Sequence, residues 1–507
     1  MALRVTQQML YGTVISQNNA SLAKLMATNE QASTQKRINA PSDDPNGAVQ
    51  VLGIRTDLSQ LGQYQSNITS AKGWLNQADS TLSSVSTLVT SIKGYAEQAA
   101  TGTVTDENRN EIATQIRQYF GQLISLANTN YNGDSIFAGQ KTDTEAYTQG
   151  LWMNSNDATF DAAVSASGGF AISGNSDTTV LVQFTGTDPT NYQPAFQYST
   201  DGGTTWNNGT YATPLGASSQ TLNLGSGLSM NLDANALSSV TACANHDDSD
   251  GTWMWVRPTA VYQGNSNEDV TVFSVDTGGG TASAAASGVF SGNVMVRMDD
   301  TSGPQYKYSY STDGGTSWVT GNTSSDVGPP TTMAVPGGLL KITTGSPADG
   351  DQFFIQPSTA DISIGISPTD SVVVNGVGTE IFGGIDDKKA VTFNGSNAGN
   401  LFETVGKLVG YLETNNQSGI QECLDNLTAS QNQVLVAASS VGARENRVTS
   451  AGTMVTTLQE NATSSCSNIE NADLTTLITT LSEQELAYQA VLKSSSMVMD
   501  MSLVKYI

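Results

Sequence analysis

The sequence predicts an α+β protein: a rod of long antiparallel helices formed by both termini, with an inserted all-β middle of two repeated modules. Three observations carry this. The first is a seven-residue apolar repeat near the N-terminus. Ile54, Leu61, Ile68, Leu75, Leu82, Val89 and Ala96 share one register. Three residues on, Tyr64, Ala71, Ala78, Val85, Ile92 and Ala99 share a second, broken only by Asp57. The pattern is a coiled-coil seam with no proline in it. As a helix it would span roughly 70 Å, whereas ordinary core helices rarely exceed ~20 residues.

The second observation is a matching seam at the other end. Ile420, Leu427, Val434, Val441, Val448, Val455, Ala462 and Ile469 recur every seven residues and are all apolar. Their companion register is poorer: Cys423, Ser430, Ala437, Arg444, Ala451, Leu458 and Ser465. The third is the intervening chain, which changes to strand-like alternation with Gly-rich turns. The rod is therefore expected over 41–140 and 386–468, and a terminal helical domain over 1–40 and 469–507. The β modules are placed at 141–275 and 276–385.

Each element has its own signals. Residues 1–35 carry a loose stripe including Val14, Leu22 and Leu25 among Gln, Asn and Ser, a weak helix. Pro41 and Pro45 with Asp43 and Asp44 make a link, and Asp44-Pro45 reads as cap and first residue of the long helix. Gly102 ends it. Thr105 or Asp106 caps the next, whose face carries Ile112, Ile116, Phe120 and Leu123. Asn132-Gly133 stops that helix, and Ser135–Gly139 is expected as a short strand. Near Ser467–Asp473 the C-terminal register breaks. A new one begins with Leu474, Leu481 and Tyr488, and with Leu477 and Val491. Both terminal stripes are interrupted by polar residues such as Gln17 and Gln484. Each helix alone is marginal in water and is expected to order on assembly.

The middle repeats itself. Phe196–Trp206 recurs within Tyr306–Trp318, with Tyr198 and Tyr310 in corresponding places. Each copy follows an alternating strand, Val180–Phe184 or Val294–Met298. Asp250-Gly251 to Pro258 likewise matches Asp349-Gly350 to Pro357.

Net charge is -25. A basic nucleic-acid footprint is absent, and an anionic membrane would repel the chain. Residues 151–385 hold 21 acids against Arg257, Arg297, Lys307 and Lys341, a solvated surface. Cys243, Cys423 and Cys466 form no paired framework, and Cys423 and Cys466, on the C-terminal helical pattern, read as small apolar filler. The first residues lack a secretory signal pattern. No stretch is long and apolar enough for a membrane span, so no membrane insertion is expected.

Several motifs together carry a resemblance. Lys36-Arg37-Ile38-Asn39 with Pro41–Pro45 resembles the link after the first helix of flagellins and hook-associated proteins. Ile136-Phe137-Ala138-Gly139 resembles the exit from their helical rod. Val441–Arg447 resembles the C-terminal rod motif, and Ile469–Leu474 with Glu485–Ala490 resembles the final helix. The flanks, about 1–140 and 380–507, are thus similar to the flagellar hook-associated proteins of the FlgL type. The resemblance implies a non-enzymatic structural role in the bacterial flagellum, joining hook to filament by polymerisation of the terminal helices. It implies as partners the other hook-filament junction protein, flagellin, further copies in a ring and a flagellar export chaperone. It implies an extracellular location reached by type III export, without a cleaved signal peptide. A filament flagellin, or a junction protein whose β modules also bind surface glycans, are the alternatives. The doubled middle is long for the family, so the resemblance implies nothing about its role.

No catalytic, cofactor or metal residues are assigned. Ser199–Trp206 and Ser311–Trp318 fit S-x-D-x-G-x-x-W and resemble the Asp-box of sialidase-type β-propellers. Two copies make no propeller, and the pattern reads as a hairpin turn over a packed tryptophan. His246–Gly251 lacks calcium-loop spacing and reads as a turn. His246 is the only histidine, which leaves no histidine triad. The expected assembly residues are the seam: Ile54, Leu61, Ile68, Leu75, Leu82, Val89, Val434, Val441, Val448, Val455, Leu474, Leu481, Tyr488 and Val491. Asp57, Arg444 and Arg447 are candidate ion-pair residues. Either they meet across antiparallel seams, or their side chains snorkel out.

Overall fold

The structure is a computed structural model. It describes residues 7–244, 251–266, 270–277, 279–288, 290, 292–303, 305–325, 331–357, 360–393 and 395–504. The turn read at His246–Asp250 lies outside them. The described helices are α1 (Gln7–Thr34), α2 (Pro45–Ala99), α3 (Asp106–Ala127), α4 (Ala158–Ala166), α5 (Ala234–Ser238), α6 (Gly378–Ile381), α7 (Leu401–Glu413), α8 (Gln417–Glu470) and α9 (Leu474–Val504). The chain divides into two compact units. One holds 1–70, 365–371 and 448–507; the other holds 71–364 and 372–447.

In the first unit, Asp44 starts α2 as the sequence suggests: its carboxylate accepts from Gly47 N at 3.0 Å, and Pro45 is the first helical residue. The start of α2 lies antiparallel to the end of α8. Arg55 reaches Glu470, and a Cβ on Gly452 would stand 3.3 Å from Ile68. The helices α1 and α9 pair with each other, Thr28 Oγ1 donating to Gln484 Oε1 at 2.7 Å. The partner that each weak stripe needs is thus the other terminus.

The second unit repeats the antiparallel arrangement. Lys93 Nζ donates to Thr428 Oγ1 at 2.9 Å, and Gln431 to Thr90 Oγ1 at 2.9 Å. The seam between them is closed: Leu75, Leu82, Val89, Ile92, Ile420, Leu427 and Val434 are fully buried. Thr105 caps α3. Arg109 of α3 is buried and donates to Ala99 O and Thr101 O, both at 3.1 Å. It places a cation on the carbonyl end of α2, where the helix dipole favours one. The strand expected at Ser135–Gly139 is a hairpin end instead. Asn130–Tyr131 pairs with Asp134–Ser135 around Asn132 and Gly133, both at positive φ. Ile136, Phe137 and Ala138 then pass into the core.

Both β modules are two-layered. In the first, Tyr147–Ser155, Trp253–Tyr262, Val180–Phe184, Phe196–Ser199 and Asn207–Asn208 lie side by side. A second sheet runs Ala171–Ser173, Ser229–Asp233, Ser219–Asn223, Thr210–Tyr211. Phe160, Val182, Phe184, Met230 and Met254 form the core. The second module has the same order: Val270–Val275, Gln352–Pro357, Val294–Asp300, Lys307–Ser311, Val319–Thr323. Its smaller sheet is Ser283–Gly288, Gly338–Thr344, Thr331–Val335. Registers agree residue for residue. Trp255 opposes Leu181, which opposes Ser199; Phe354 opposes Met295, which opposes Ser311. Val270–Val275, placed in the first module by sequence, pairs with Gln352–Pro357 and is a strand of the second. Lacking the Asp-Gly punctuation, it carried no mark of which module it serves.

Candidate assembly surfaces and joints

In the first unit the inner face of α9 carries Leu477, buried, with Leu481, Tyr488 and Val491 half-buried. Leu474, expected on this seam, is 50% exposed. It shares an outer apolar face with Ile478, Leu486 and Leu492, exposed by 55%, 70% and 42%. Met9, Ile15 and Met26 are exposed on α1. A groove of about 550 Å³ lies beside the link, lined by Ile38, Pro41, Val51 and Leu52 with Arg55 and Glu470.

The two links that join the terminal pair to α2 and α8 are bonded to each other. Lys36 and Asn471 form an antiparallel bridge. Arg37 N donates to Glu470 O at 2.7 Å, and Ala472 N to Gln35 O at 3.0 Å. The Glu470 carboxylate is nearly buried and receives Lys36 and Arg55, each at 2.6 Å. The bond from Lys36, then those from Arg55 and Cys466, hold it below the usual carboxylate range against the opposing effect of burial. Sequence reading singled out both links but did not join them. The available signal was opposite charge at the two helix breaks.

The remaining seam residues divide by unit. In the first, Ile68, Val448 and Val455 are buried and Ile54 and Leu61 half-buried. In the second, Leu75, Leu82, Val89, Val434 and Val441 are buried. Asp57 is exposed on α2. Arg444 donates to Asn375 O at 3.2 Å and Val373 O at 3.5 Å. Its charge is thus spread over two carbonyls of the returning chain rather than spent on a carboxylate of α2. Arg447 is exposed on α8.

These flanks can be set beside known proteins. Residues 5–142 match the family described as bacterial flagellin N-terminal helical region. Over 148 residues the chain is 36% identical to flagellar hook-associated protein 3 of Salmonella typhimurium, 29% of this chain and 47% of that one. It is 31% identical over 126 residues to flagellin A of Helicobacter pylori, 25% of this chain and 24% of that one. The N-terminal flank, residues 5–142, is thus a flagellin-type N-terminal helical region, and it is similar to that of flagellar hook-associated protein 3. It spans about half the length of the curated hook-associated relative it matches. Two solved structures are similar. A putative flagellar hook-associated protein of Vibrio parahaemolyticus has TM-score 0.40 at 14% identity, covering 85% of this chain and all of that one. The flagellar junction protein FlgL of Legionella pneumophila has TM-score 0.31 at 14% identity, covering 83% and 99%.

The first β module is tied to the helices of its own unit. Arg257, wholly buried, donates to Asn154 Oδ1 at 2.6 Å and to the Glu403 carboxylate of α7. Burial pushes the Glu403 carboxyl up, but Arg257 and then Lys407 outweigh it and hold it below the usual range. Glu413, at the end of α7, accepts Arg117 of α3 at 2.5 Å and Thr179 N at 2.6 Å. Gly406 and Gly410 turn the bare side of α7 to Pro258 and Trp255. A sidechain on either would hold the helix off the strand. Tyr147 packs its ring, tilted by 51°, against Phe402 at 4.7 Å and donates its hydroxyl to Gly383 O at 2.7 Å. Composition places Arg257 among the surface bases, because it cannot tell a buried cation from a solvated one.

The two Asp-box sequences are identical turns. Ser199 Oγ donates to Asp201 at 2.7 Å, and Thr205 N and Oγ1 donate to Asp201 at 2.9 and 2.5 Å. Ser311, Asp313 and Ser317 repeat all three distances. The donated bonds, from Ser317 first, pull the Asp313 carboxyl down to about 2. Every Asp oxygen is used within its own turn, which supports the hairpin reading over a ligand site. The surroundings differ. A Cβ on Gly202 would lie 2.3 Å from Glu413 O, whereas one on Gly314 would meet nothing within 4 Å.

Proposed function

We propose that this chain is a structural subunit joining the flagellar hook to the flagellin filament, next to the other hook-associated junction protein. The observation that carries this is the apolar outer face of α9. Its inner face is already matched to α1, yet Leu474, Ile478 and Leu486 stand in solvent. Burying such a side chain is worth about 1.5–3 kcal/mol, so a few per subunit reward ordered association. Head-to-tail contacts of one surface with another generate a ring or a helical tube. The chain is a component of the bacterial flagellum that assembles with other flagellar components. In this reading copies of the chain form a ring through these helices, outside the cell. An export chaperone would cover the same apolar face beforehand. The task is mechanical rather than catalytic.

The test is a deletion strain complemented with Ile478→Asp and Leu486→Asp. The expected result is export of the variant with flagellin shed into the medium and no filaments. Normal filaments would overturn the reading. Sheared filaments distinguish a filament flagellin, which would dominate them, from a junction subunit, which would be a trace band.

A further inference from the structure

We propose that the outer sheet face of the second β module is a docking site for an α-helix of a partner protein. That helix would carry small residues four apart with a carboxylate one turn away. The inference does not depend on the flagellar reading. It rests on the internal repeat, because one copy shows what its counterpart lacks.

In the first module a row of directly opposed residues crosses the outer face: Asn154, Trp255, Leu181, Ser199. Helix α7 covers it. Trp255 is buried there, its ring 5.9 Å from Tyr411, and Gly410 lies against it. Arg257, two residues along the same strand and so on the same face, meets Glu403.

The same row in the second module reads Phe273, Phe354, Met295, Ser311. It is more apolar than the covered one, yet nothing among the described residues plays the part of α7. Phe273 is half exposed, and Phe354 and Met295 are partly so. A polar replacement would be the ordinary choice for a solvated strand face. Instead Trp318 extends the row beside Met295, across the Asp-turn from Gly315. Arg297, two residues from Met295, lies 4.7 Å over the Trp318 ring. Its pairing with Asp299 at 3.1 Å is solvent-exposed, and such pairs are cheap to exchange. The face therefore offers an aromatic row with a cation at its side, but on the other side of the row: Arg297 opposes Gln352, two residues before Phe354, whereas Arg257 lies two residues after Trp255. A helix with a bare stripe and one carboxylate fits both, with its direction reversed on the second.

The probe is a fluorescein-labelled peptide of residues 400–416, the helix that covers the first copy, titrated into the full chain and read by anisotropy. Saturable binding is expected. Phe354→Asp, and separately Phe273→Asp, should weaken it at least ten-fold. Both side chains point to solvent, and unchanged near-ultraviolet circular dichroism would show that the module still folds. Peptide carrying Gly406→Leu and Gly410→Leu should not bind. Failure of the wild-type peptide to saturate overturns the proposal. So does binding that both aspartate variants leave unchanged, which would place the peptide elsewhere. Sedimentation of the full chain adds a further outcome: a dimer dissolved by Phe354→Asp would make a second copy the occupant and overturn the partner helix. Oligosaccharide binding lost in the same variant would overturn it in favour of glycan stacking.

Discussion

Gly406 lies so close to Pro258 that a Cβ on it would stand 2.3 Å from the proline carbonyl oxygen. The contact is with backbone on the strand side, so nothing can rotate away. Gly406→Leu should therefore lift α7 from the first module and cost about 1–3 kcal/mol as overpacking does. Gly121→Ala, on α3 with nothing within 4 Å, should instead gain about 0.5–1 kcal/mol through helix propensity. Chemical denaturation of both variants checks the pair. Equal effects would show that Gly406 is not there for closeness.

Arg257 and Glu403 form a buried pair, and breaking one side strands a charge. Arg257→Met should cost about 3–5 kcal/mol, and the double variant with Glu403→Leu distinctly less than the two single variants together. Glu403 is held below its ordinary value of 4.5. Its contribution to stability is then complete above about that pH and is lost as pH falls through the lower folded value. Thermal melts between pH 6 and 3 of wild type and Glu403→Gln should converge at the acid end.

Glu470 gathers Lys36 and Arg55 at the paired links. Glu470→Gln removes charge-assisted bonds worth about 1–3 kcal/mol. The loss should appear as faster amide exchange in 35–44 and 469–473, with the second unit unchanged. Its carboxyl is also depressed, so in wild type the same exchange should quicken as pH drops below about 4.5. Protection that ignores both changes would mean the links hold by backbone bonds alone.

On α9 the two apolar faces should answer differently. Ile478→Asp and Leu486→Asp are on the exposed face and should change stability by less than about 0.5 kcal/mol. Leu481→Asp and Val491→Asp face α1 and should open the terminal pair, seen as lost protection over both helices. Under the proposed function, only the first two should leave the subunit folded while blocking polymerisation. A large melting shift from Ile478→Asp would show that this face is already covered.

How much of this could be read beforehand follows from where the information lies. The seams were legible because a seven-residue period survives over many turns, and Leu75, Leu82 and Val434 sit where counting put them. The Asp-turns were legible because Ser, Asp and Gly at fixed spacing leave one local solution. Asp57 and Arg444 were not, since a pairing across two helices depends on a tertiary offset that periodicity does not contain. The joint at Arg257 was hidden for another reason. Its partners, Asn154 and Glu403, are 103 and 146 residues away, and nothing local marks either as buried. Strand Val270–Val275 belongs to the second module, which its alternation does not reveal, since alternation names a partner face but no partner.

The doubled crossing between Lys36 and Asn471 has a consequence for how load passes along the chain. A single tether swivels freely about its own axis. Two strands running side by side, bridged and pinned at Glu470, can fold like a door on its leaf but resist being wrung. A molecule placed where rotation must be handed from one segment to the next would lose little of it to twisting at such a crossing. Cutting one strand between residues 38 and 43 should leave the helices intact and surrender that stiffness.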